Sequence, residues 1–61
     1  MKDVIVFYLP VNSVPRSEID VLRNNLEQLR NTPLSNGFYI IFVEDPARNK
    51  VETEVFFRNH E

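Results

Sequence analysis

The chain has 61 residues, a formal net charge of −2, 43% hydrophobic residues, no cysteine, one glycine and one histidine. That length makes one domain and hides only about 60% of the surface the unfolded form exposes, while the missing cysteines exclude a disulfide staple and a thiolate metal site; no metal and no other cofactor is expected. The charge gives no reason to bind nucleic acid polymers or anionic membrane, and no apolar run approaches the roughly 20 residues of a membrane helix or carries a signal-peptide cleavage site, so a cytoplasmic location is expected.

The first element is a strand over about Asp3 to Leu9, dense in β-branched and aromatic residues and stopped by Pro10, which lacks a ladder donor. A loop from Pro10 leads to Pro15, whose fixed φ suits the first turn of a helix, with Glu18 and Asp20 near the positive end of its dipole. The start falls between Ser13 and Ser17. Ile19, Leu22, Leu26 and Leu29 then recur at steps of three and four, which predicts an amphipathic helix over about 15–31 with Arg23, Asn24, Glu27 and Arg30 outside its apolar stripe. Pro33 ends it, because the residue before proline avoids helical geometry, and Leu34-Ser35-Asn36-Gly37 reads as a turn.

A second strand is expected over about Phe38 to Glu44, then a connection through Asp45-Pro46-Ala47-Arg48-Asn49, then a third strand over about Lys50 to Phe57. In the third, Val51, Thr53, Val55 and Phe57 alternate with Glu52 and Glu54, the pattern of a strand with one wet face; Phe56 breaks it. The fold class is therefore α+β: a single β-α-β-β domain with parallel first and second strands, an antiparallel hairpin to the third, and one helix on one face of a three-stranded mixed sheet.

That single helix leaves a deficit. Val4-Ile5-Val6-Phe7-Tyr8-Leu9 and Phe38-Tyr39-Ile40-Ile41-Phe42-Val43 are apolar on both faces. Whichever face the helix covers, the other remains a contiguous apolar surface, and Arg58-Asn59-His60-Glu61 offers nothing apolar to close it. Sealing five or six such side chains contributes on the order of 10 kcal/mol gross, so the sheet is expected to be completed by a homodimer or larger assembly. The expected interface residues are Ile5, Phe7, Leu9, Tyr39, Ile41, Val43 and Phe56.

Small ligands favour the end of a parallel sheet where the strands finish. There Asn12, Ser13 and the free amides of the helix start, with Arg16, Arg48 and Lys50, are the candidate contacts for a small anionic ligand, and Arg58 is a further cation. The competing reading gives Asn12 or Ser13 to helix capping and the arginines to solvent. Glu44 with Asp45, Glu52 with Glu54 and Glu18 with Asp20 are paired carboxylates, but none forms an acid/base constellation, and one glycine cannot build a phosphate loop. No catalytic residue is assigned and enzymatic activity is not expected.

A strand-helix-strand-hairpin order at this length resembles the subunits of the small tautomerases, which build dimers and hexamers. Their catalytic group is an N-terminal proline; Lys2 follows Met1 here, so the activity does not transfer. The run Val6-Phe7-Tyr8-Leu9-Pro10-Val11-Asn12-Ser13-Val14-Pro15, a charged amphipathic helix and Tyr39-Ile40-Ile41-Phe42-Val43 are together similar to short proteins encoded by tailed bacteriophages. That resemblance implies expression in the infected bacterial cytoplasm and a non-enzymatic role, either binding a host protein or sequestering a nucleotide or other small anion in an oligomer cleft.

Overall fold

The apolar run near the N-terminus forms β1, Asp3–Leu9, in the computed structural model, which describes residues 2–57. The expectations placed on Arg58 and His60 therefore lie outside the described residues. Pro10 ends the strand, and two tight hydrogen bonds turn the chain: Val11 N–H donates to the Leu9 carbonyl at 2.9 Å and Ser13 N–H to the Pro10 carbonyl at 3.1 Å.

Helix α1 spans Arg16–Glu27, with Pro15 as N-cap. Proline's fixed φ leaves the Pro15 carbonyl aimed along the helix, where it accepts from Glu18 and Ile19 N–H at 2.9 and 3.0 Å. The helix does not run unbroken to Asn31 as expected: Gln28–Asn31 tighten into a 3-10 turn and Thr32 is extended, as a residue before proline prefers. Thr32 then organises the next bend. Its hydroxyl donates to the Leu29 carbonyl at 2.7 Å and accepts from Leu34 N–H at 3.3 Å. Its carbonyl takes both the Ser35 N–H and the Ser35 hydroxyl. With those groups satisfied, the segment read as a plain turn closes into a one-turn helix, α2, Leu34–Gly37.

Strand β2, Phe38–Glu44, pairs parallel with β1, in register from Asp3 opposite Phe38 to Leu9 opposite Glu44. Strand β3 is shorter than expected, Glu52–Phe56, and it corrects the topology. The sheet order is β2-β1-β3, with β3 antiparallel to β1, so β2 and β3 form no hairpin. The connection from Asp45 carries the chain across the end of β1, pinned where Asp45 N–H meets the Leu9 carbonyl at 2.9 Å. Composition accounts for β3, which carries two glutamates in five residues and takes an edge, while β2, as apolar as β1, takes the other.

Register fixes the faces. Ile5, Phe7 and Leu9 share one side with Phe38, Ile40 and Phe42, and the rings of Phe7 and Phe42 stack with centroids 5.6 Å apart. Arg23 and Arg30 lie over the outer side of Phe42 at 5.6 and 5.5 Å, which places α1 and the 3-10 turn on this side. Phe7, Leu9, Ile19 and Ile40 form the buried core here, with Leu22, Leu26 and Leu29 partly buried. The shortest dimension of the Cα envelope is 11 Å, room for one helix layer stacked on a sheet and for nothing on the sheet's other side.

Candidate interaction surface

Three rows of three residues make up the uncovered side. Pairing aligns Tyr39, Val4 and Phe56 in the first, Ile41, Val6 and Glu54 in the second, and Val43, Tyr8 and Glu52 in the third. Tyr39, Ile41, Val43 and Phe56 are 51, 43, 37 and 47% exposed although large and apolar. Val6 lies at the centre and is shielded by its neighbours in the lattice. The result is an apolar corner formed by the first row and the β2 column, and an acidic corner on β3.

Register also divides the expected interface. Tyr39, Ile41, Val43 and Phe56 stand on this open face, whereas Ile5, Phe7 and Leu9 point to the helix side; Phe7 and Leu9 are buried within the protomer and unavailable to a partner. Strand periodicity alone assigns each strand two faces but cannot say which face of β1 aligns with which face of β2, and a one-residue change of register exchanges them.

The acidic corner is organised by aromatic and cationic groups. Tyr8 donates its hydroxyl to Glu54 Oε1 at 2.7 Å, and that bond, followed by partial burial and the carboxylate's charge, raises the phenol pKa above its usual 10.0. Arg48 lies 4.1 Å over the Tyr8 ring while pairing with Asp45 at 3.0 Å and with Glu52. At the opposite corner Lys2 lies 5.1 Å over the ring of Tyr39. A groove of about 370 Å³ runs beside the start of β2, lined by Lys2, Arg30, Ser35 and the first four residues of that strand. Sequence reasoning missed Lys2, Arg30 and the Tyr8–Glu54 pair as contributors to this surface. The spacing of Arg23 and Arg30, seven apart and so on one side of the helix, is the only local signal that they reach a common target.

The loops expected at one end of the sheet do meet there: Ser13 donates its hydroxyl to the Arg48 carbonyl at 3.2 Å. Neither Asn12 nor Ser13 caps α1, which has no side-chain cap, and Asn12 and Lys50 are exposed. Arg16 is held by Glu44 at 3.0 Å and Asp20 at 3.5 Å, and Arg48 by Asp45 and Glu52. An anion at this end must displace carboxylates from both arginines, so the structure brings Ser13 to Arg48 but leaves the arginines already neutralised.

Those pairs make the end of the sheet acid-sensitive. The Ala47 N–H, at 2.9 Å, and then the Arg48 guanidinium hold the Asp45 carboxyl below its usual 3.8, and Arg16 holds Glu44 below its usual 4.5. Both folded-state pKa values are depressed, so this stabilisation is complete above the ordinary values and is lost as pH falls through the depressed ones. The melting temperature should accordingly drop below about pH 4.5, and Asp45→Asn should drop less steeply. An equally steep fall in that variant, read by circular dichroism melts from pH 7 to 2, would show that Asp45 carries none of the effect.

Among the described residues, no group of three or more histidine, cysteine, aspartate or glutamate side chains is placed to hold a metal ion, and no helix is long and apolar enough to cross a membrane. The chain matches no family model, no curated protein and no solved structure.

Proposed function

We propose that this chain is a small homo-oligomeric binding protein without catalytic activity, whose open sheet face is sealed by a second copy and whose further partner is met at the boundary between subunits. The observation that carries the reading is the three-by-three lattice centred on Val6, apolar in its first row and along β2, on a protomer only one helix layer thick. Four of the large apolar side chains exposed among the described residues, Tyr39, Ile41, Val43 and Phe56, stand on this face, while the buried core has only five; so small a core is poorly able to leave that face in water.

A second copy fits the charges of this face. Lys2 marks one corner, and Glu54, beside a Glu52 already paired with Arg48, marks the opposite one. A two-fold axis lying between two such faces brings the basic corner of each copy over the acidic corner of the other and packs the apolar residues between them. Light scattering coupled to size exclusion is expected to give at least twice the 7.2 kDa of one chain at micromolar concentration. A single 7.2 kDa species from micromolar to near-millimolar concentration would overturn the reading.

A further inference from the structure

The free edge of β2 is the least guarded part of the molecule. Asp45 N–H points inward to the Leu9 carbonyl, and along a parallel ladder inward-pointing backbone alternates with outward-pointing backbone. Tyr39, Ile41 and Val43 therefore spend their N–H and C=O groups on β1, and Ile40, Phe42 and Glu44 turn theirs to the outside. Phe38 offers the outside only its carbonyl, because its N–H goes to the Leu34 carbonyl. Exposed edges are ordinarily protected by charge, proline or shortness. The β3 edge has two glutamates in five residues, whereas β2 runs from Phe38 to Val43 with neither charge nor proline. The groove beside it is open.

We propose that two copies of this chain join through antiparallel pairing of their β2 edges about a two-fold axis at Ile41, making one six-stranded sheet. It rests on the reading that the chain self-associates and adds a contact distinct from the open face. In this register Ile40 faces the partner's Phe42 and exchanges both backbone hydrogen bonds with it. The Phe38 carbonyl receives the N–H of the partner's Glu44. On the open face Ile41 meets its own counterpart and Tyr39 meets the partner's Val43, an aromatic against a β-branched side chain, which is a favourable cross-strand pair.

Two further observations favour a second copy as the occupant of this edge. The partner's strand enters the groove with its Glu44 end next to Arg30 and Lys2. Glu44 reaches Arg16 through one oxygen only and keeps a 41% exposed side chain with which to share the partner's Arg30, whose Nε already pairs with Glu27 at 2.5 Å. Area points the same way. One open face, built on strands of seven, seven and five residues, is roughly 300 Å² in projection from strand rise and spacing, short of the roughly 800 Å² per partner of a standard interface. Joining the edges doubles the continuous face available for stacking.

Amide hydrogen exchange on the intact chain tests this without substitution. On raising the concentration from the dissociated to the associated range, the Ile40, Phe42 and Glu44 amides should slow by more than about tenfold, while the inward Tyr39, Ile41 and Val43 amides are slow throughout. A cysteine-free chain also allows cross-linking. Ile41→Cys should form a disulfide dimer, since directly opposed residues in such a pair sit about 4.5 Å apart. Val43→Cys alone should not, and an equimolar mixture of Tyr39→Cys and Val43→Cys should. An oligomer whose Ile40, Phe42 and Glu44 amides exchange freely, or in which Val43→Cys pairs with itself and Ile41→Cys does not, overturns the edge pairing and leaves face-to-face association standing. A monomer at every concentration overturns both.

Discussion

Leu9→Ala is expected to remove about 2–5 kcal/mol of stability, the range for deleting a leucine side chain from a packed interior. Leu9 is completely buried, at 0% exposure. It ends β1 on the helix side, and its carbonyl accepts from both Val11 and Asp45 N–H. Truncation therefore opens a cavity at the point where the two loops at this end of the sheet are tied down, and a collapse that fills it must move one of those hydrogen bonds. Net stabilities of small domains are about 5–15 kcal/mol, so the loss is a large share of the whole. Urea unfolding followed by circular dichroism checks it, with wild type and variant at one protein concentration because association adds to apparent stability. A loss under about 1 kcal/mol would mean that the site relaxes freely and that Leu9 is not the keystone its burial indicates.

Phe56→Lys is expected to separate the copies that stack through the open face while leaving each protomer folded. Phe56 is half exposed on β3, beside Val4 in the apolar first row and on the far side of the sheet from the β2 edge. Aromatic anchors of an interface commonly cost about 2–4 kcal/mol when lost, which converts to a dissociation constant raised about 30- to 1,000-fold. Val21→Lys is the matched control, because Val21 is more exposed, at 58%, but sits on α1, away from the open face. Sedimentation equilibrium on both variants decides the matter: equal weakening by the two would mean that the open face has no special part in association.

The elements that sequence reading places well are those whose signal is local. Strands β1 and β2 match their expected bounds because Pro10 and Asp45-Pro46 punctuate them and because their composition has no helical alternative. The start of α1 at Arg16 lies inside the expected bracket. The helix end is harder to read because two mechanisms compete there: the apolar stripe continues to Leu29, but Thr32 and Pro33 tighten the last turn from below.

What escapes such a reading is everything set by pairing between distant segments. Nothing near Lys50 tells the third strand to pass its immediate predecessor and settle on β1; that choice emerges only when the apolarity of all three strands is compared. Ile5, Phe7 and Leu9 lie on the helix side for the same reason, their face being decided by alignment with Ile40 and Phe42, more than thirty positions away, and of the three Phe7 and Leu9 are buried in the protomer. Of the candidate anion contacts, Ser13 and Arg48 meet, and Glu44, Asp45, Asp20 and Glu52 have already claimed the arginines.

A strand made first and seated in the middle has a cost during synthesis. Both neighbours of β1 are encoded downstream, one beginning at Phe38 and the other at Glu52, so the oiliest segment emerges from the ribosome tens of residues ahead of the strands that will hydrogen-bond to it. Its partners arrive in order, and the last ladder closes only after Phe56 has been added. A chain of this topology has little chance to fold stepwise, since neither ladder of its central strand can form before the segment from Phe38 onward has left the ribosome.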